Sequence, residues 1–262
     1  MHSTFSDGVY SPEELALMLK SKSVQKASLT DHDTFSGCDA FRSACDAVGI
    51  ETVDGIEIST VHRGRTIHIL GYRFRKEDQR LNDALDFAQK QREKRSDKII
   101  EKLLKMKIDL HFHNSKATIS RPEIAEALVK HGFATSKSDA FEKYLGRKGL
   151  AWIDKSMMSS IDAIKHIQRA GGKSVLAHPG IYGNSESLIR ELAMEGLDGI
   201  EAFSSAHFGS QTNKFLDYSS QFSLMVTGGS DFHGREDIGF LGNYGLPQEF
   251  QAKLRLKFYS HD

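Results

Sequence analysis

The chain has 262 residues, with 35 lysines and arginines against 35 aspartates and glutamates, so it carries no net field to draw it to nucleic acid or to an anionic membrane. Hydrophobic residues make up 39%, enough for a sizeable core in one large domain or in one domain with a smaller one inserted. Its two cysteines, Cys38 and Cys45, fall in one short helical segment, which excludes a disulfide scaffold and fits a reducing cytoplasm. No apolar run approaches membrane-spanning length, and the N-terminal residues carry neither a basic nor an apolar signal region. Histidine, at 12, is the one unusual count.

Ser11-Pro12-Glu13-Glu14 supplies an N-cap serine, a first-turn proline and the glutamate of a capping box, ahead of Leu15, Met18 and Leu19 at helical spacing. A helix is expected there. Six β-prone runs follow along the chain: VQKASL, IETVDG into Ile56-Glu57, TIHILGY, SVLAH, DGIEAF and FSLMVTGGSD. Helical patterns separate the first two, and DAIKHIQRA and ESLIRELAMEG lie among the later ones, so the alternation predicts an α/β fold with a parallel sheet or barrel. Residues 75–150 break this rhythm with long, charged, helical-period segments, which predicts a helical insertion between α/β parts at 1–74 and 151–262.

Histidines and carboxylates gather at the strand ends. His32 follows the first run, Glu57 ends the second, His68 lies in the third, His178 ends the fourth, and Asp231 and His233 end the last. In a parallel barrel the C-terminal strand ends share one mouth, where these residues would meet. A lone histidine at a strand end is more often a hydrogen-bonded structural residue, but the set taken together is hard to explain that way. His2 and Asp7 precede the first helix and bring the set to eight. Mixed imidazole and carboxylate donors of that number predict two or three divalent ions, Mn²⁺, Fe²⁺ or Zn²⁺. His62, His111, His113, His131, His166 and His261 lack such a context and read as surface or helix-face residues.

The segments HSTFSDGVYSPEEL, SLTDHDTFSG, DGIEIS, HILGY, LAHPG and GGSDFHG resemble, in order, the motifs of the PHP (polymerase and histidinol phosphatase) family of metal-dependent phosphoesterases. The likeness is strongest to the branch with a helical insertion that acts on nucleoside 3′,5′-bisphosphates and on short RNA from the 5′ end. It implies a distorted (β/α)7 barrel with a metal centre at its mouth. His2, Asp7, His32, Glu57, His68, His178, Asp231 and His233 match the ligand positions, with Glu57 as the bridging carboxylate and Asp7, His32 and His178 at the catalytic core. Arg121, in Ser120-Arg121-Pro122-Glu123, and His207 match positions near the substrate. Relatives usually have histidine where Glu123 stands.

The family's first motif reads Asp-x-His-x-His-Ser, whereas this sequence begins between the two histidines. That predicts an absent first strand and a start placed downstream of the natural one. The resemblance implies a small phosphorylated nucleotide or short RNA as substrate, with no membrane and no obligate protein partner. A catalytically silent metal-binding module and a histidinol-phosphate phosphatase are the alternatives.

Three further segments need a reading. Asp109-Leu110-His111-Phe112-His113 spells the missing motif, but no β-prone run leads into it, so it is expected to be coincidental. Gly171-Gly172-Lys173-Ser174 resembles the end of a phosphate-binding loop but runs from helix to strand, the reverse order, and is expected to be a helix-ending turn. Lys90–Lys107 holds eight basic residues against three acidic ones, a pattern expected of a solvated helix face, with an RNA guide as its functional counterpart.

Overall fold

A computed structural model of the chain describes residues 1–112, 119–154, 156–234 and 240–251. The chain divides into two compact units, one formed by Met1–Leu85 with the residues from Met158 onward, the other by Asp86–Met157. The second unit thus begins later and ends later than the 75–150 expected from the charged segments, because Leu81 and Leu85, at the start of the long helix, are buried in the core of the first.

In the first unit, α1 (Pro12–Ser21) starts at the anticipated capping box. Ser11 N–H donates to the Glu14 carboxylate at 2.8 Å, and Glu14 N–H donates to Ser11 Oγ at 3.3 Å. β1 (Lys26–Ala27), α2 (Cys38–Ala47) and β2 (Glu51–Thr52) form a small parallel βαβ unit. The run expected as one strand through 51–57 divides, because β2 pairs with β1 while β3 (Gly55–His62) joins a separate five-stranded sheet. Cys38 and Cys45 are both buried free thiols, each pushed up to about 11 by burial.

The sheet order is β3, β4 (Arg65–Tyr72), β5 (Lys173–Leu176), β6 (Gly199–Ser204), β7 (Met225–Gly229). It is mixed rather than wholly parallel. β3 turns straight back into β4 through Arg63 and Gly64, both at positive φ (46° and 75°), the geometry of a tight hairpin turn. β4 and β5 are antiparallel, and β5, β6 and β7 are parallel. α6 (Ser160–Arg169) packs on β3, β4 and β5, α7 (Ser185–Met194) connects β5 to β6, and α8 (Gly209–Gln221) connects β6 to β7. As expected of a helix-ending turn, Gly171 takes φ 79° just after α6, two residues before β5.

Strand alternation sorts the side chains. Ile56, Ile58, Ile67 and Ile69 face the helices and pack with Ile164, Ile167, Leu176, Ile189 and Ile200, each such burial being worth roughly 2 kcal/mol. Glu57 and His68 therefore point to the opposite face. His68 sits across from Ser59 in the hairpin register, which makes Glu57 its diagonal neighbour.

The residues after β1 lie alongside β3: Glu57 N–H donates to Asp31 O at 3.1 Å and Asp33 N–H to Glu57 O at 2.9 Å. The first residues connect this segment to the end of β7. Thr30 N–H donates to Met1 O at 3.0 Å, and His2 N–H to Phe232 O at 2.8 Å. Below that connection, among the described residues, no strand pairs with the second edge of either β1 or β7. A cavity of about 910 Å³ runs past both, walled in part by Ser28, Tyr72 and Thr227 and reaching Glu57, His178, Glu201 and Asp231.

The second unit is helical. It contains the later part of α3 (Gln79–Lys105), α4 (Arg121–Lys130), and α5 (Lys137–Ala140) continued by one π turn. Ile99, Leu103, Ile124, Leu128 and Leu145 form its core. α4 repeats the capping box of α1, with Ser120 and Glu123 bonded reciprocally at 2.7 and 3.3 Å.

Candidate metal centre

Five of the expected histidines and all three expected carboxylates converge in the first unit. Glu57, 1% exposed, is the hub. Its Oε2 accepts from His2 Nε2 at 2.9 Å, and its Oε1 from His68 Nδ1 at 2.7 Å and His178 Nε2 at 3.1 Å. His2 Nε2 also reaches Asp231 Oδ1 at 3.0 Å, and His233 Nε2 stands 3.4 Å from Asp7 Oδ1. The imidazoles form a continuous array: His2 stacks on His233 with centroids 4.1 Å apart, and His32 lies 4.5 Å from His2 and 4.9 Å from His68.

Opposite charges tie the cluster together. Burial disfavours charge on His2, yet the Asp231 and Glu57 carboxylates overcome it and raise its pKa to about 10. His178, opposed by burial in the same way, is raised to about 9 chiefly by Glu57. Burial would likewise neutralise Glu57, but His32, His68, His178 and His2 hold it well below the usual carboxylate range. Asp7 is held down against burial by His32, His233 and His2. Protons on imidazoles supply the positive charge that the carboxylates require.

Two buried atoms of the cluster, His2 Nδ1 and Asp7 Oδ1, make no hydrogen bond and stand 3.8 Å apart. A buried polar atom left unpaired costs about 1–3 kcal/mol, so their convergence calls for a cation. Three overlapping sets present donor atoms within 4.8 Å of one another: His2, Asp7, His32 and His233; His32, Glu57 and His68; His2, Glu57 and Asp231. His2, His32 and Glu57 each belong to two sets, so donors are shared between neighbouring positions. The imidazole and carboxylate mix suits divalent ions of borderline hardness.

Two buried acids that sequence reasoning passed over hold this arrangement. Asp31 Oδ1 accepts from Ser3 N–H at 2.7 Å and from Ser6 Oγ at 2.6 Å, while its Oδ2 accepts from Ser3 Oγ at 2.7 Å. It thereby pins the loop that carries His2 and Asp7. Gly8 closes the same loop, where a Cβ would overlap the His2 carbonyl. Glu201 Oε2 accepts from the His178 backbone N–H at 2.9 Å, which fixes a residue held at φ 30°. Burial raises Glu201 to about 7 despite His178 nearby. The signal for Glu201 was a lone acid within the apolar run DGIEAF; a β-bulge between Glu201 and Phe203 marks the same place.

Arg121 begins α4 in the helical unit, with its guanidinium 5.6 Å over the Phe141 ring. His207 Nδ1–H donates to Ala202 O at 2.9 Å, and Nε2 accepts from Gly180 N–H at 3.1 Å. Both ring nitrogens are thus engaged with backbone, which leaves neither for a phosphate in this conformation. Of the remaining histidines, His62 joins Ser160 Oγ and Glu191, each at 2.9 Å. His111 of the Asp-x-His-x-His sequence is exposed in the helical unit, 3.3 Å from Asp109. His113 and His261 lie outside the described residues.

The PHP domain family profile matches residues 1–174. A 5′-3′ exoribonuclease of Haemophilus influenzae is 35% identical over 88% of this chain and 88% of its own length. The 3′,5′-nucleoside bisphosphate phosphatase of Chromobacterium violaceum is 29% identical over 91% of this chain and 88% of its own. Among solved structures, a Bifidobacterium adolescentis protein assigned as a metal-dependent phosphoesterase superposes with TM-score 0.86 at 25% identity, covering 99% of this chain and 95% of that one. Matching motifs, the distorted α/β barrel and the histidine-carboxylate cluster agree: the chain belongs to the PHP domain family and is a phosphoesterase of that family.

Proposed function

We propose that this chain hydrolyses a phosphate ester of a small nucleotide, a nucleoside 3′,5′-bisphosphate or the 5′ end of a short RNA. His2, Asp7, His32, Glu57, His68, His178, Asp231 and His233 would hold two or three divalent ions, Mn²⁺, Fe²⁺ or Zn²⁺. The observation that carries the reading is the overlap of three donor sets through His2, His32 and Glu57. Such ions, when bound, supply Lewis-acid activation of a water and charge neutralisation at the phosphoryl oxygens.

The chain's own residues do the rest. Glu57 fixes the orientation of His2, His68 and His178, and the Asp31 clamp delivers His2 and Asp7 on one loop. Asp7 and His32 share a donor set with His2 and His233, and His178 joins the cluster through Glu57, so these three would stand around the reacting phosphate. The long helix α3 carries the basic run as far as Lys105, which pairs with Glu101 four residues earlier, as on a solvated face. The activities of the Haemophilus and Chromobacterium relatives, an exoribonuclease and a nucleoside bisphosphate phosphatase, support both nucleotide classes as substrates.

The test is phosphate release from adenosine 3′,5′-bisphosphate, and mononucleotide release from a 5′-phosphorylated oligoribonucleotide, with and without Mn²⁺. Metal-dependent turnover of either substrate is expected. Absence of turnover of both with Mn²⁺, Fe²⁺ and Zn²⁺ alike would overturn the nucleotide assignment.

A further inference from the structure

The loops that follow β5 and β6 stand at the same end of the sheet as the metal centre. The first begins at His178 and makes a single 3₁₀ turn, Pro179–Ile181; the second runs from Ser205 to the start of α8. They are tied together closely. Gly180 N–H donates to His207 Nε2 at 3.1 Å, Gln211 Nε2 donates to Gly180 O at 3.3 Å, and Phe208 N–H donates to Gln211 Oε1 at 2.8 Å. A Cβ at position 180 would overlap the His207 ring, so glycine is required for this approach. Ser205 Oγ adds a fourth tie, donating to Ser230 O at 2.7 Å beside Asp231.

This frame presents two apolar side chains to solvent. Phe208 is 80% exposed and Ile181 is 59% exposed. Scattered exposed apolar residues are ordinary on protein surfaces. These two differ because each is next to a residue of the Gly180–His207 contact, on loops tied to each other by hydrogen bonds. Ile181 is three residues past His178, a Cα separation of at most about 11 Å. An exposed, uncharged aromatic ring at the same end of the sheet as a phosphate-binding centre suits the flat face of a base, since aromatic stacking accepts any base and asks for no hydrogen-bond pattern.

We infer that Phe208, flanked by Ile181, is the platform on which the base of the nucleotide substrate stacks. The inference rests on the reading of the cluster as a nucleotide phosphoesterase centre and adds the part of the substrate that the metal ligands do not touch. It makes the enzyme selective for nucleotides over base-free phosphoesters while leaving it tolerant of base identity. His207 and Gln211 are positioning residues for that platform, which gives the two engaged nitrogens of His207 their purpose.

The test compares the wild-type protein with Phe208→Ala and Phe208→Trp by calorimetric binding of adenosine 5′-monophosphate and of ribose 5-phosphate. Phe208→Ala should weaken the nucleotide about tenfold, leave ribose 5-phosphate within about twofold, and be rescued by tryptophan. With adenosine 3′,5′-bisphosphate as substrate the loss should fall on KM rather than kcat. Equal weakening of both ligands, or no weakening of the nucleotide, would overturn the platform. Wild-type protein that binds ribose 5-phosphate as tightly as the nucleotide would overturn it too while leaving the phosphoesterase reading intact. Binding of neither ligand by the wild type would overturn both.

Discussion

Replacing Glu57 by glutamine is expected to lower phosphoester turnover by roughly a thousandfold or more, equivalent to about 4 kcal/mol of transition-state stabilisation. The residue is 1% exposed and its two oxygens meet His2, His68 and His178. Glutamine keeps the shape but removes the charge and turns one acceptor into a donor facing imidazole N–H groups. The set His32, Glu57, His68 loses its only carboxylate and the set His2, Glu57, Asp231 one of two, so bound metal per chain should fall with activity.

The same substitution has a signature in the metal-free protein. His2 and His178 have folded pKa values of about 10 and about 9, above the ordinary 6.5. Groups raised in this way contribute stability that is fully present below pH 6.5 and is lost as pH rises through 9 and 10. The metal-free wild type should therefore lose stability steadily across that window. Glu57→Gln should reduce the slope, because His178 loses the carboxylate that chiefly raises it, while Asp231 still supports a charged His2. Urea unfolding in the presence of a chelator, at pH 6.5, 8 and 9.5, measures it. A wild-type stability that is level across this range would contradict the charge assignment.

Asp31→Ala has the second largest expected effect, although Asp31 belongs to none of the three donor sets. Its loss leaves the buried Ser3 N–H and Ser3 Oγ, and the half-buried Ser6 Oγ, without their acceptor, at a cost of roughly 3 kcal/mol. For a chain of this size that corresponds to a fall in Tm of about 6–12 °C. The freed loop carries His2 and Asp7, so Mn²⁺ should be needed at roughly 10–100-fold higher concentration for half-activation. Asp31→Asn retains an acceptor for Ser3 N–H, and its amide can donate to a serine oxygen, so it should recover much of both losses. An Asp31→Ala protein with unchanged Tm and unchanged Mn²⁺ dependence would show that the clamp is idle.

The strand ends were readable in the sequence because alternation and apolar runs place His32, Glu57, His68, His178, Asp231 and His233 without tertiary information. Their mutual distances were not. Glu57 meets His68 only because the Arg63-Gly64 turn sets the hairpin register that makes them diagonal neighbours. Asp31 stood in plain view within Thr30-Asp31-His32-Asp33, yet which of two acids clamps the first loop depends on Ser3 and Ser6 folding back over it. His207 illustrates the reverse case. A histidine after a strand reads as a substrate contact, and only the approach of Gly180 shows that both its nitrogens are engaged. The border of the helical unit was misplaced for a similar reason, since the apolar residues Leu81 and Leu85 at the start of α3 pack into the barrel core.

The most direct test of the metal centre is anomalous X-ray diffraction from crystals soaked with Mn²⁺, recorded at the manganese absorption edge. Two or more peaks are expected in the first unit, one among His2, Asp7, His32 and His233 and another beside Glu57. Peaks confined to surface carboxylates, with none within coordination distance of Glu57 or His2, would contradict the account.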